Sequence, residues 1–95
     1  MKKIYKMMTA IREELCSAMI YAEEYLMYKN IKPNIATMYQ KMSSDEINHA
    51  NYLKEIGEDM VKDIAWVSEE DEDKWDKCIK KLADKEGMVK MMLSK

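Results

Sequence analysis

Apolar side chains recur every three or four positions along most of this chain, a spacing that keeps them on one face of an α-helix. The pattern falls into three stripes, which predict helices over about residues 3–30, 33–66 and 69–93. The stripes comprise Ile4, Met7, Ile11, Ala18, Tyr21, Tyr25 and Tyr28, then Ile35, Tyr39, Met42, Leu53, Ile56 and Met60, and finally Trp75, Ile79, Leu82, Val89 and Leu93. We expect these stripes to form the core, with Trp66 and Trp75 anchoring the third helix.

Two polar segments separate the predicted helices. Residues 30–34 contain Pro33, which disfavours helix in the residue before it and suits a first helical turn. Ser68 precedes an acidic run that suits the N-terminus of the third helix. Because a short turn makes consecutive helices antiparallel neighbours, residues 1–95 are predicted to form one all-α domain, a long helical hairpin plus a third helix.

Three polar residues interrupt the first two stripes. Glu14 lies within the first, and Glu46 and His49, the only histidine, lie within the second. Counted from the turn, Glu14 and His49 are each about 17 residues away, so all three should come level across the hairpin. An unpaired carboxylate is costly to bury, and a metal ion would satisfy the three side chains together. We therefore take Glu14, Glu46 and His49 as candidate metal ligands.

These residues carry a resemblance to a known family. Glu14 to Tyr21 (ELCSAMIY), followed by Glu46-Ile-Asn-His49-Ala, resembles the first helical hairpin of the ferritin-like superfamily, rubrerythrins included, over about residues 8–56. The hairpin is also similar to small ferritin-like proteins of phages and bacteria. The resemblance implies a di-iron carboxylate site in a four-helix core, with ferroxidase or peroxide-reducing chemistry. Glu14 would bridge or cap a metal ion, Glu46 would bridge, and His49 would be a terminal ligand.

The chain departs from that family in having half of the ligands. A complete site takes a Glu from each of two helices and a Glu-x-x-His from each of two others. Here there is no second histidine, and Glu86 on the third stripe could add only a carboxylate. A two-fold dimer would supply Glu14, Glu46 and His49 twice. We therefore expect iron binding to go with an even-numbered homo-oligomer whose four-helix core is completed by self-association, and we leave enzymatic activity open.

Simpler interpretations of these residues remain. Ser43 to Glu46 fits a capping box, which would start a helix at Ser43 or Ser44 and make Glu46 a cap, although the apolar stripe keeps its phase there. His49 could be a neutral core histidine hydrogen-bonded to Glu14 or Glu46, and Glu14 could face solvent. An alternative of another class is a small protein–protein interaction module, a phage-type inhibitor or accessory factor with a vestigial metal site. A third is a structural oligomer specified by a buried polar network.

Composition narrows the choice of partners and compartment. The net charge of −2 is too close to neutral to suggest nucleic-acid binding. No segment approaches the roughly 20 apolar residues of a membrane span, and Arg12, Glu13 and Glu14 interrupt any signal-peptide-like start. Cys16 and Cys78 are far apart, as expected for reduced thiols in a cytoplasmic protein. We therefore expect neither a nucleic acid nor a membrane as partner.

Overall fold

Three α-helices make up the part of the chain that the structure, a computed structural model, describes, residues 2–63 and 67–95. They are α1 (Lys3–Tyr28), α2 (Pro33–Val61) and α3 (Glu69–Leu93), and the all-α prediction is confirmed. The first helix ends two residues before its predicted end. The second ends at Val61, short of the predicted residue 66, and Lys62 is its C-cap. The predicted anchor Trp66 lies outside the described residues.

The first two helices form a long antiparallel hairpin. In the turn, the backbone N–H groups of Ile31 and Lys32 both donate to the Tyr28 carbonyl, and Pro33 then begins α2. Pro33 suits this position because the first N–H groups of a helix have no partner within it. The molecule is a rod of 52 × 18 × 17 Å, in which α3 lies mainly against α1. No helix among the described residues has the length and apolar character that crossing a bilayer requires.

The buried face of α2 is offset by one residue position from the face that the sequence pattern predicts. The buried residues of this helix are Ala36, Ser43, Ile47, Ala50 and Gly57. The predicted stripe that begins at Ile35 is therefore rotated by about 100° from the core, and its members Met42 and Ile56 are 40% and 50% exposed. The prediction that this stripe forms the core is confirmed only in part, because Leu53 and Met60 pack against the buried cluster whereas the fully buried face of α2 carries Ile47 and otherwise small residues.

Small side chains bring α1 and α2 close together. Ala36, Ser43, Ala50 and Gly57 recur every seven residues and turn the same face of α2 inward. The Ser43 hydroxyl donates a 2.7 Å hydrogen bond to the Ala18 carbonyl on α1, which satisfies the buried polar group. Residues 43–46 are continuous helix, so the interpretation of Glu46 as a capping residue is wrong.

Asp71 joins the beginnings of α1 and α3. Its carboxylate accepts from the Ser68 backbone N–H, and the Ser68 hydroxyl accepts from the Asp71 N–H, which completes the predicted cap as a capping box. The same carboxylate accepts from the Lys2 ammonium at 2.6 Å and from the Tyr5 hydroxyl. These hydrogen bonds, from Lys2 first and then from Tyr5, hold the pKa of Asp71 well below its ordinary value.

Trp75 of α3 packs its six-membered ring against Gly57 of α2. Its indole is 1% exposed, and a Cβ atom added at Gly57 would lie only 2.0 Å from Cη2 of the ring. Gly57 lies within α2, which continues to Val61, and its missing side chain leaves the space that the indole fills. The buried Trp75 Nε1 has no hydrogen-bond partner among the described residues, so packing alone fixes the ring.

Candidate metal centre

The structure brings Glu14, Glu46 and His49 together on one side of the hairpin. Glu14 comes from the middle of α1, whereas Glu46 and His49 lie one turn apart on α2. Antiparallel packing across the short turn makes them level, as the spacing from the turn predicts. One ligand atom from each side chain lies within 4.8 Å of the other two.

The imidazole of His49 faces both carboxylates. Its Nδ1 atom lies 3.6 Å from Glu14 Oε2 and 3.5 Å from Glu46 Oε1. Both distances exceed those of good hydrogen bonds, which are about 2.7–3.2 Å. They match the separation of neighbouring donors around a metal ion, because bonds of about 2.0–2.2 Å place tetrahedral ligands about 3.3–3.5 Å apart. The two separations from the imidazole nitrogen are therefore compatible with a shared ion.

The cluster lies at the surface of this chain. The His49 side chain is 52% exposed, and those of Glu14 and Glu46 are 28% and 22% exposed. The expectation that these residues occupy the core was therefore wrong, and so is the interpretation of His49 as a hydrogen-bonded core histidine. The two carboxylates are thus more buried than the imidazole that faces them.

The two carboxyl groups compete for ionisation. The pKa of Glu46 is raised above its ordinary value, first because its carboxyl shares a hydrogen bond with that of Glu14 and then because of partial burial. The His49 imidazole acts in the opposite direction and does not cancel these effects. A cation between the carboxylates would remove their repulsion and favour their ionised forms.

Glu86 does not join this group. Its carboxylate accepts a 3.2 Å hydrogen bond from the Asn51 side chain and pairs with Lys90 at 3.1 Å. Asn51 lies on the flank of α2 that faces α3, away from the side that carries His49. The described residues therefore supply three clustered donors, and α3 contributes no fourth.

Tyrosines continue the same side of the hairpin towards the turn. Tyr28 stacks on Tyr39 with ring centroids 5.9 Å apart, and Tyr21 meets the same ring at 6.1 Å. Tyr21 and Tyr28 follow Glu14 at intervals of seven residues, which accounts for their shared face. The sequence pattern had found Tyr21 and Tyr28 but not their contacts with Tyr39, of which only that of Tyr28 is stacked, and packing is the role that these contacts support.

Exposed apolar side chains border the cluster on α2. Met38, Met42, Tyr52 and Ile56 are 59%, 40%, 63% and 50% exposed, and helical spacing places them on the His49 side. We call these four residues the α2 apolar surface. Single exposed apolar residues are ordinary, whereas several on one side of a helix suggest a contact with another molecule.

A scan against protein-family models finds no match, and searches of curated proteins and of solved structures find none either. The functional argument therefore depends on the geometry of the chain itself.

Proposed function

We propose that this protein binds iron at Glu14, Glu46 and His49, and that two copies of the chain share the site in a ferritin-like four-helix core. The observation that carries this proposal is the convergence of three metal-type donors from two helices, with the 3.5 and 3.6 Å donor spacing. Carboxylate oxygens with an imidazole nitrogen suit ferrous iron.

The donor set argues for a second copy. Three donors leave an ion with open positions, whereas two chains supply four carboxylates and two imidazoles, the set of a di-iron carboxylate centre. A two-fold axis beside the cluster would bring each residue and its symmetry mate together. It would also bury the α2 apolar surface of both copies and leave α3 of each outside the four-helix core.

Chemistry at such a centre would come from the metal ions, which when bound supply one-electron redox steps. The chain would hold them through Glu14 and Glu46, whose ionised forms balance the positive charge, and would fix the terminal position through His49. A covering second copy would limit the access of water to the His49 side. Ferroxidase activity is the first reaction to test once metal binding is established.

A second candidate function is a protein–protein interaction module with a vestigial metal site. The α2 apolar surface favours it, because the same four side chains would serve a different protein as well as a second copy. This alternative predicts a metal-free monomer in which Glu14, Glu46 and His49 remain unligated.

Anaerobic titration of the metal-free protein with ferrous iron tests the proposal, with bound iron per chain and oligomer mass as readouts. We expect about one iron per chain in an even-numbered oligomer, and loss of binding in His49→Ala. Asn48→Ala is the matched control, since Asn48 is the exposed neighbour outside the cluster. Failure to bind iron, or equal binding by the two variants, would refute the metal site.

A separate pair of variants tests whether the site is shared. Ile56→Glu places a charge in the α2 apolar surface without touching a donor, whereas Met88→Glu changes a side chain of similar exposure on α3. We expect Ile56→Glu to give a monomer with much weaker iron binding and Met88→Glu to behave like the parent. Tight iron binding by a monomeric Ile56→Glu protein would show that one chain is sufficient.

A further inference from the structure

A pocket of about 500 Å³ lies between α1 and α3, away from the metal candidate residues. Its volume falls within the range of about 300–1,000 Å³ typical of small-molecule sites. Met8, Ile11 and Leu15 of α1 are buried and form an apolar floor. None of Glu14, Glu46 and His49 lines the pocket.

Four cationic side chains surround the mouth of this pocket: Arg12, Lys74, Lys77 and Lys81. Lys74 lies 3.4 Å from Glu70 and 5.3 Å from the centre of the Tyr5 ring. Arg12 donates only to the neutral Thr9 hydroxyl, and Lys77 and Lys81 form no ion pair within the described ranges 2–63 and 67–95. Three of the four rim cations are therefore not neutralised by an ion pair within those ranges, although the protein as a whole carries −2.

An apolar floor and a cationic rim are complementary to one kind of molecule. We propose that the pocket binds an amphipathic carboxylate, a molecule with a linear apolar chain and a single anionic head, as in a free fatty acid. The chain would lie on Met8, Ile11 and Leu15, and the head would meet Arg12, Lys77 and Lys81. A small polar anion would leave the apolar part of the pocket unfilled, and an uncharged hydrocarbon would leave the cations without a partner.

The pocket also has features that suit a flexible chain. Met8 is unbranched and adapts its shape to a ligand. The half-buried Cys78 thiol closes the α3 side, and burial raises its pKa, so it presents a neutral, weakly polar wall. Tyr5 also lines the pocket, and its hydroxyl already donates to Asp71. The remaining polarity is concentrated at the rim, where a carboxylate head would lie.

Titration calorimetry with decanoate, kept below its micelle concentration, tests this proposal on the full chain. We expect saturable binding of one decanoate per chain that weakens as salt rises, because the rim charges are exposed. Each methylene removed, from decanoate to octanoate, should weaken binding about fourfold. Decyltrimethylammonium has the same apolar chain with the opposite charge and should not bind.

Charge-reversed variants locate the site. Lys77→Glu/Lys81→Glu changes two exposed rim residues and should weaken decanoate binding about tenfold or more while leaving the helical circular dichroism unchanged. Lys80→Glu is the matched control on α3, since Lys80 does not line the pocket. His49→Ala should bind decanoate normally, which separates this proposal from that of the metal site.

Several outcomes would overturn the proposal. One is the absence of decanoate binding, and another is equal binding of decyltrimethylammonium. A third is an equal loss in Lys80→Glu and in the double variant. Binding to anionic phospholipid vesicles or to an acidic peptide without binding of monomeric decanoate would also overturn it, since a charged surface rather than the pocket would then be responsible.

Discussion

Two glycines within helices, Gly57 of α2 and Gly87 of α3, offer the same substitution with opposite expected results. Neither has a positive φ, so alanine fits both backbones without strain. In a helix interior, alanine in place of glycine stabilises by about 1 kcal/mol. A Cβ added at Gly87 meets nothing within 4 Å, so Gly87→Ala should raise the free energy of unfolding by this full amount.

At Gly57 the indole of Trp75 makes the same substitution destabilising. The added Cβ would lie 2.0 Å from Cη2 and 2.6 Å from Cζ2 and Cζ3. Because carbon atoms pack best at about 3.5–4.0 Å, the ring would have to move by about 1.5 Å. Trp75 is 1% exposed, so that movement pushes into packed core. Overpacking costs about 1–3 kcal/mol, and a shift this large belongs at the upper end. After the gain in helix propensity is subtracted, Gly57→Ala should lower the free energy of unfolding by about 2 kcal/mol.

Thermal and urea unfolding, followed by circular dichroism, measure both effects. For a domain of this size, 1 kcal/mol shifts Tm by about 4–8 °C. We expect Gly87→Ala to raise Tm by that amount and Gly57→Ala to lower it by about 10 °C. In a Trp75→Phe background the loss at Gly57 should shrink or become a gain. A Gly57→Ala protein as stable as the parent would refute the packing of Trp75 on Gly57.

Three further predictions concern single side chains. Asp71→Asn should lower Tm near neutral pH, because the depressed pKa of Asp71 contributes stability above its ordinary value of 3.8 that is lost on acidification. The Tm values of the variant and the parent should therefore converge between pH 7 and pH 2, and a constant difference would contradict this. Glu46→Gln should raise the Tm of the metal-free protein at pH 7, because the raised pKa of Glu46 contributes stability below its ordinary value of 4.5 that is lost as pH rises. Thermal unfolding without iron should show this gain, and unfolding with ferrous iron should show that the variant has lost any stabilisation by metal. An unchanged or lower metal-free Tm would count against carboxylate repulsion. Ser43→Ala should cost about 1 kcal/mol through the lost hydrogen bond to Ala18, and Ser43→Leu should cost more by separating α1 and α2; urea unfolding that ranks the two in reverse would argue against the close approach of the helices.

Helix positions were predictable from the sequence because their signals are local. Pro33 at a helix start and Ser68 before an acidic turn satisfy backbone groups within a few residues, and both begin helices in the structure. The alignment of Glu14 with Glu46 and His49 was also predictable, since a short turn and a fixed rise per residue determine which positions are level. These inferences required no knowledge of side-chain packing.

The buried face of α2 could not be derived in the same way. Hydrophobicity favours Ile35, Met42 and Ile56, whereas the contact with α1 selects small residues such as Ser43 and Ala50 because they allow close approach. An offset of one position turns the helix by about 100° and moves His49 from the expected core to the surface. The seven-residue recurrence of small side chains was the signal that would have located the contact.

The cationic rim of the pocket was also missed at the sequence level. Lys74, Lys77 and Lys81 are three and four residues apart, which places them on one face of α3. In a chain rich in charged residues, three lysines on one helix face are typical of an ordinary solvent-exposed surface. Only the packing of α3 against α1 shows that these side chains surround an apolar pocket, so the three-dimensional contact was needed.

The connectivity of the hairpin also bears on the order in which the chain folds. The hydrogen bond between Ser43 and Ala18 closes a loop of 25 residues, whereas that between Lys2 and Asp71 closes a loop of 69. Closing the longer loop costs about 1 kcal/mol more in chain entropy. We expect α1 and α2 to pair first and α3 to dock later, so that α3 amides exchange hydrogen sooner; uniform protection would contradict this order. All three candidate donors lie in the first two helices, so the proposed metal site needs only the hairpin of each chain and not the docked α3.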